Sequence, residues 1–309
     1  MKITFLGTGA GLPSKKRNVS SIALHFLDNK GAVWLFDCGE ATQHQILHTT
    51  LKPRKIEKIF ITHLHGDHIY GLPGLLSSRS FQEGSNPLTI YGPKGLDQFI
   101  ETSLNISQTH LQYPIHFVEI FDGFQLVEED FTIDVIQLDH GIDSFGYRLI
   151  EKDQIGELQV DKLKNLGIKP GPIYQQIKQS EITELPDGRK IHRKDVVGTD
   201  KIGRKLAIFG DTRHPLKFKA FVNEVDLLIH EATFDGADQD LADQYFHSSN
   251  IEVAQLARAA NIKQLILTHI SARYQDQDLA EFLHEAKVIF KPTLIAKDLL
   301  TIEIPKATR

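Results

Sequence analysis

Three imidazoles and a carboxylate fall within six residues of this chain, in His63-Leu64-His65-Gly66-Asp67-His68. Imidazole nitrogen and carboxylate oxygen suit zinc and its neighbours in the divalent series. A His-rich surface turn is the plain alternative. Against it, the cluster directly follows Lys58-Ile59-Phe60-Ile61-Thr62, an apolar, β-branched run that reads as a buried strand over residues 58–62. A strand end feeding a short loop holds ligands rigidly, because the sheet fixes the base of the loop.

Six residues do not complete a metal site, so His or Asp directly after other strand-like runs become candidates. His140 follows 135–139, Asp211 follows 206–210 and His269 follows 265–268. Each strand would deliver its residue to a common sheet edge. His25, His44, His48, His110, His116, His192, His214 and His284 lack that context and read as core or surface residues. The set is therefore His63, His65, Asp67, His68, His140, Asp211 and His269. A catalytic zinc takes about three protein ligands plus water. Seven suit two ions with one carboxylate bridging. Two ions roughly 3.5–4 Å apart activate water at neutral pH and clamp the attacked and leaving oxygens of a displacement. The ligands point to hydrolysis and leave carbon or phosphorus open as the electrophile.

Composition narrows the class. The net charge of −5 argues against a general nucleic-acid binder. Its distribution is uneven, since residues 151–205 hold 12 Lys+Arg and 9 Asp+Glu while the rest holds 23 and 31. A mildly basic segment sits on an acidic body, part of whose charge bound dications would offset. No run of 18 apolar residues occurs, so no membrane span is expected. Residues 1–7 lack the apolar stretch and cleavage site of a signal peptide and read as a first strand. Cys38 is the only cysteine, which excludes an intrachain disulfide and a thiolate cluster and fits a cytoplasmic enzyme. It reads as a small packed residue.

The elements that must position these residues fall into two α/β halves around an insertion. Strand-like runs at 3–6, 21–26, 32–36, 58–62 and 88–91 alternate with helical stretches at 41–49, 72–80 and 95–103. Gly71 with Pro73 suits a helix start. Strands follow at 115–120, 124–127, 131–138 and 145–150. The second half reads as strand 205–209, helix 216–222, strand 227–230, helix 251–259, strand 264–268, helix 278–288 and a last strand near 300–304. Val253, Leu256 and Ala257 form one stripe of helix 251–259. Sheets flanked by helices in both halves predict a four-layered α/β sandwich with the chemistry on loops at one sheet edge. Residues 151–204 break the rhythm. They read as short helices at 160–168 and 173–179 around Gly171-Pro172, then a hairpin turning at Pro186-Asp187-Gly188. With no long apolar run, the segment reads as an arm projecting from the core.

The His-x-His-x-Asp-His cluster, the later single His, Asp and His, and the two-half plan resemble the metallo-β-lactamase superfamily. Three loops narrow the resemblance: Pro13-Ser14-Lys15-Lys16-Arg17-Asn18, Gly167-Ile168-Lys169-Pro170-Gly171-Pro172 and His230-Glu231-Ala232-Thr233. On them the chain resembles the ribonuclease Z family over nearly its whole length. The resemblance implies a four-layer αββα metallo-β-lactamase sandwich over residues 1–309, with 151–204 inserted as a tRNA-binding arm. It implies a zinc-dependent endoribonuclease that removes the 3′ trailer from precursor tRNA, leaving a 3′-hydroxyl on the tRNA and a 5′-phosphate on the trailer. It further implies two Zn²⁺ per subunit, one on His63, His65, His140 and Asp211, the other on Asp67, His68, Asp211 and His269. Asp67 would also accept a proton from the attacking water. Glu231 and His247 would form a pair in which His247 protonates the leaving 3′ oxygen. The family's His-Ser-Thr pattern is present as His247-Ser248-Ser249, which can also cap the helix that follows. A homodimer is implied too.

Candidate substrate contacts are Lys15 and Arg17 on a loop after Gly7-Thr8-Gly9-Ala10-Gly11, Gly171 and Pro172 in the arm, Thr233, and Ser271 and Arg273 just past His269. Arg suits phosphate through its bidentate fork. Lys15-Lys16-Arg17 read as a plain solvated charge run is the alternative. Gly9 and Gly11 do not make a dinucleotide fingerprint, and no nucleotide cofactor is expected. A basic arm has a use because tRNA is read mainly by shape and backbone, far from the cut. Two rival functions are a small-substrate hydrolase of the same superfamily, such as a cyclic-nucleotide phosphodiesterase or thioester hydrolase, and a non-catalytic RNA-binding processing subunit. The arm disfavours the first. The complete ligand set with a candidate acid disfavours the second.

Overall fold

The structure, a computed structural model, describes residues 1–27 and 31–308. It divides into two compact units. The larger comprises Met1–Val127, Ile133–Leu149 and Lys205–Ile304 and is built on two seven-stranded sheets. The first sheet runs in the order Thr301–Glu303, Lys2–Gly7, Ser21–Phe26, Ala32–Phe36, Ile56–Phe60, Leu88–Gly92 and Ile115–Glu119. Its pairs are antiparallel as far as Ala32–Phe36 and parallel beyond. The second runs Thr293–Ile295, Gln264–Thr268, Leu227–Glu231, Lys205–Phe209, Ser144–Glu151, Phe131–Leu138 and Gln125–Val127, the first four parallel.

Strand Ala32–Phe36 shows how the sequence generates layers, because successive side chains leave a strand on opposite faces. Val33 and Leu35 join Leu72, Leu75 and Leu76 of helix Leu72–Phe81 and Ile100 of helix Leu96–Ile106. Phe36 stacks on Phe60, and both rings meet Tyr147 of the second sheet at centroid distances of 5.7 and 5.4 Å. Beyond the second sheet, Ala207, Leu228, Leu265 and Leu267 pack with Val253, Leu256 and Ala257 of helix Asn250–Ala259 and with Phe282 and Ala286 of helix Asp278–Ile289. The order is helix, sheet, sheet, helix, as the sequence predicts. Full burial of each such ring stabilises by roughly 1.5–3 kcal/mol. Tyr147 also ties the site to this core. Burial, reinforced by Asp37, holds its phenol pKa well above the ordinary value, so it stays a donor, and it gives its proton to Ile61 O at 2.5 Å.

Two expected elements differ in the structure. The strand expected over 58–62 is Ile56–Phe60, because the chain changes partners at its end. Ile61 N still bonds Tyr91 O in the first sheet, but Thr62 N is taken by Asp37 Oδ1 at 2.8 Å and Thr62 O by Phe145 N of the second sheet at 3.0 Å. With both backbone groups committed elsewhere, Thr62 cannot extend the ladder. The helix expected at 216–222 is only a 3-10 turn, Pro215–Phe218. His214 before it is left-handed at φ 52, and the amides of Lys217 and Lys219 each reach back three residues. Short pieces such as helices Gly66–Ile69 and Gln239–Gln244 and strand Thr293–Ile295 had no periodicity to reveal them.

The smaller unit gathers Glu128–Thr132, Ile150–Arg204 and the residues from Pro305 onward. It holds helices Val160–Asn165, Pro172–Gln179 and Arg193–Val196 and the hairpin Ile182–Glu184 with Lys190–His192. Scattered apolar residues, Leu163, Ile168, Ile177, Leu185, Ile191 and Val196 among them, make a core of its own. Strand Lys201–Ile202 pairs with Ala307–Thr308, which sequence periodicity could not foresee. The carboxylate of Glu151 is enclosed by Arg204 Nε at 2.6 Å, Arg204 Nη2 at 2.9 Å and Lys306 Nζ at 2.8 Å. Burial pushes its pKa up, but the hydrogen bonds from Arg204 and Lys306 prevail and hold it below the ordinary value.

A depressed carboxylate pKa contributes stability above its unfolded value and loses it as pH falls through the folded one. Glu151→Gln should therefore cost about 3 kcal/mol at pH 7, since it leaves Arg204 buried beside a neutral group. The gap to the parent chain should begin to shrink as pH drops below about 4.3 and close as pH passes the lowered pKa of folded Glu151, where the parent loses the same ion pair. Denaturant melts at pH 7 and pH 3.5 measure both gaps, and a gap that does not change with pH contradicts this account.

Candidate metal and acid–base site

The ends of strands from both sheets bring the seven expected ligands together. His63, His65, His140 and Asp211 offer ligand atoms all within 4.8 Å of one another, and Asp67, His68 and His269 form a second such group. Asp211 faces both. Its Oδ2 lies 3.6 Å from His63 Nε2, 3.5 Å from His68 Nε2 and 3.4 Å from His269 Nε2. The cluster 63–68 turns through the one-turn helix Gly66–Ile69, which packs on residues 37–39. Cys38 N bonds His68 O at 2.8 Å, and a Cβ on Gly39 would lie 2.3 Å from Asp67 O, so only glycine fits there. His269 is held in the left-handed region at φ 56, a strain that packing must sustain.

Hydrogen bonds decide which nitrogen each ring presents. Thr62 Oγ1 donates to Asp37 Oδ2 at 2.9 Å, so towards His63 Nδ1, 3.0 Å away, it can only accept. Thr233 Oγ1 donates to Glu231 Oε2 at 2.8 Å and likewise accepts from His269 Nδ1 at 2.9 Å. His68 Nδ1 faces Asp37 Oδ2 at 2.7 Å, and His140 Nδ1 donates to Phe246 O at 2.8 Å. With a hydrogen on Nδ1, each of these four rings in its neutral form turns its Nε2 lone pair inward. His68 Nε2 and His269 Nε2 stand 3.3 Å apart, and His140 Nε2 stands 3.2 Å from His65 Nδ1. The buried His63 Nε2 has no hydrogen-bond partner among the described residues.

Crowded imidazole nitrogens beside two carboxylates call for positive charge. Burial opposes a charge on His68, yet Asp211 and Asp37 raise its pKa well above the ordinary histidine value. Burial likewise opposes ionisation of Asp67 and Asp211, but the surrounding imidazoles, His269 foremost, hold both carboxyls far below the usual range. A proton on His68 answers this demand partly. Divalent cations among seven N and O donors answer it in full, so the donor set fits a metal centre.

Asp37, which holds His68 Nδ1, is a residue that the sequence analysis did not single out. It directly follows strand Ala32–Phe36, the same strand-end position that picked out His140, Asp211 and His269.

Beside the ligands lies the pair Glu231 and His247. Glu231 is buried and accepts from His247 Nδ1 at 3.1 Å, Ser248 N at 3.0 Å, Thr212 N at 3.2 Å and Thr233 N at 2.9 Å. Burial raises its pKa, and His247 brings it back below the ordinary value. Burial also disfavours charge on His247, but Glu231 and then Asp211 push its pKa up to about 9, so the ring is protonated at neutral pH. Ser249 caps helix Asn250–Ala259 in a capping box with Glu252, while Ser248 Oγ donates to Thr212 O at 2.6 Å. Capping and the placement of His247 are thus shared between neighbours.

A cavity of about 380 Å³ is lined by Asp67, Asp211, His247 and His269 together with Phe234 and Tyr245. Thr233, Ser271 and Arg273 also line it. Arg273 pairs with Asp238 at 2.7 Å and covers the Phe234 ring. Lys15 and Arg17 do not line this cavity. Arg17 turns inward, its Nη1 donating to Thr8 Oγ1 and Ala296 O, both at 2.7 Å, and Lys15 is exposed on the same loop. The loop reaches the ligands through its backbone instead, Gly11 N donating to Asp67 Oδ2 at 2.8 Å. Gly171 and Pro172 lie in the smaller unit, at the start of helix Pro172–Gln179.

A ribonuclease Z from Oceanobacillus iheyensis is 56% identical to this chain over 306 residues, covering 98% of this chain and all of the relative. The chain belongs to the ribonuclease Z family. Another ribonuclease Z, from Bacillus licheniformis, is 54% identical and covers 99% of this chain and 100% of its own. Among solved structures, human tRNase Z, short form, shares 31% identity with a TM-score of 0.71 over 99% of this chain and 100% of that one. The metallo-β-lactamase fold protein YhfI from Bacillus subtilis, at 19% identity and a TM-score of 0.68 over 99% of this chain and 98% of its own, is alike in fold. A family model described as Anti-Pycsar protein Apyc1 matches residues 1–155. That stretch contains His63 to His140 but stops short of Asp211, Glu231, His247 and His269, whereas the ribonuclease Z relatives match both halves.

Asp37→Asn keeps the shape of the side chain and removes the charge that orients His68. Partners of this kind are typically worth 10–100-fold in metal affinity. Zinc titration against a chromophoric chelator should show a loss of about that size, and an unchanged affinity would mean that Asp37 does not govern the ligand.

Proposed function

We propose that this chain is a zinc-dependent endoribonuclease that removes the 3′ trailer from precursor tRNA, leaving a 3′-hydroxyl on the tRNA and a 5′-phosphate on the trailer. The observation that carries the reading is His247, hydrogen-bonded to the buried Glu231 and lining the same cavity as residues of two groups of metal-type ligands. A phosphodiester whose leaving oxygen is an alkoxide needs both charge neutralisation and an acid. Full-length likeness to ribonucleases Z supports the choice of substrate.

In this reading His63, His65, His140 and Asp211 would hold one zinc and Asp67, His68, Asp211 and His269 the other. Bound there, the ions supply an activated water and Lewis-acid charge against the attacked phosphate. Asp67 accepts a proton from the attacking water, its carboxylate steadied by the Gly11 amide. His247 has Nδ1 engaged by Glu231, which leaves Nε2 to protonate the departing 3′ oxygen. Thr233 aligns both His269 and the acid pair, and Ser271 and Arg273 receive the phosphates next to the cut. The smaller unit, with Gly171 and Pro172, grips the tRNA away from the cut. The loop bearing Lys15 and Arg17 meets the RNA end. Dimerisation belongs to the same proposal, and sedimentation velocity reads it directly. So does a cytoplasmic setting, which suits the lone buried Cys38.

Incubation of the purified chain with one precursor tRNA, with and without chelator, tests the whole reading by mapping product ends. Cleavage after the discriminator base that chelator abolishes is expected, and intact RNA at saturating zinc would refute it. His247→Ala should lower turnover by about 10²–10⁴-fold with precursor binding nearly unchanged. A variant as fast as the parent would remove the leaving-group role. Deletion of 151–204 should abolish tRNA cleavage and spare hydrolysis of bis(p-nitrophenyl) phosphate, while equal loss of both would deny the unit its RNA grip.

A further inference from the structure

We propose that Tyr245 is a stacking platform for one of the nucleobases flanking the bond that is cut, an inference that rests on RNA being the substrate. The residue is 58% exposed and lines the cavity beside the candidate ligands. Tyr70, Phe81 and Phe121 are at least as exposed, but none of them lines this cavity. Tyr245 lies nearly parallel to Phe234, with 19° between the rings and 6.4 Å between centroids. Phe234 is buried and is itself braced by the Arg273 guanidinium 5.0 Å from its centroid and by the His247 ring at 6.1 Å. The exposed ring therefore has a rigid backing.

The backbone around it is equally fixed. Tyr245 N closes helix Gln239–Gln244 on Leu241 O at 3.1 Å, and His247 N returns to Ala242 O at 2.8 Å. Phe246 between them is left-handed at φ 60, and its carbonyl receives His140 Nδ1 at 2.8 Å. The platform is thus two residues from His247 and one from a carbonyl that orients a ligand. A base resting on Tyr245 would be placed at a set distance from the acid. Stacking reads a π face that every base has, so it positions RNA without demanding a sequence.

The test uses the full-length, zinc-loaded chain with precursor tRNA and, separately, bis(p-nitrophenyl) phosphate. Tyr245→Ala and Tyr245→Leu should lower kcat/KM on tRNA by about 5- to 150-fold, the range for losing one stacked base. Tyr245→Phe should stay close to the parent, and all variants should hydrolyse the small diester normally. A precursor with an abasic nucleotide at one flank of the cut should be a poorer substrate for the parent chain but not for Tyr245→Ala beyond its existing loss. Unaltered tRNA cleavage by Tyr245→Ala, or abasic and alanine losses that add in full, overturns the platform while leaving the endoribonuclease reading standing. Loss on the small diester by Tyr245→Ala also overturns it, because the residue would then serve the metal centre. Absence of tRNA cleavage by the parent chain overturns the function itself and, with it, this inference.

Discussion

Asp37 and Glu231 stand at strand ends in different sheets and treat their surroundings alike. Each accepts both the backbone N–H and the hydroxyl of one threonine, Thr62 for Asp37 and Thr233 for Glu231. Each threonine hydroxyl, its only proton given to the carboxylate, accepts from the Nδ1 of a histidine, His63 or His269. Each carboxylate also takes the Nδ1 of a second histidine directly, His68 or His247. A carboxylate, a threonine and two imidazoles form one unit, and the site contains two of them. In three of those four rings the outcome is an Nε2 lone pair aimed at a ligand group. In the fourth, His247, it is a charged ring facing the cavity.

That arrangement is costly without its cation, and the fold is organised to sustain the cost. Imidazole nitrogens 3.2–3.3 Å apart, those of His68 and His269 buried, crowd against two carboxylates at the site. Only a rigid frame keeps them together. The frame is the pair of sheets, joined at the site by Tyr147 on Ile61 O and Phe145 N on Thr62 O, immediately before His63. Thr8 O on Ile270 N and Gly11 N on Asp67 fasten the loop after the first strand to both halves of the second ligand group. Cation binding to the folded state alone then stabilises the fold by mass action.

Much of this was legible in the sequence, for reasons that are physical. Histidines and an aspartate directly after apolar runs mark strand ends, and a sheet edge is where strand ends meet, so His140, Asp211 and His269 could be matched to the 63–68 cluster. Long alternating or helical stretches such as 131–138 and 251–259 came out within a residue or two. What stayed hidden depends on contacts between distant residues. Asp37 sits at a strand end like the ligands, but nothing local tells that its partner is His68, 31 positions on. Arg17 has the residue type of a phosphate reader, yet Thr8 and the Ala296 carbonyl claim its guanidinium. Helix 216–222 had the right apolar spacing, but Pro215 and the left-handed His214 permit only a tight turn.

Glu231 also joins the acid to the metal groups. One oxygen holds His247, Ser248 N and Thr212 N, the last being the residue next to Asp211. The other holds Thr233, and through its hydroxyl the tautomer of His269. A change in the charge on either side is therefore felt on the other through a single buried carboxylate. Losses at His247, Thr233 and His269 cannot add independently, because each removal releases the same group. The same coupling explains how a chain of net charge −5 can receive a polyanion. The cavity presents the His247 ring and the Arg273 guanidinium beside the carboxylates of Asp67 and Asp211, whose charge a bound cation would offset.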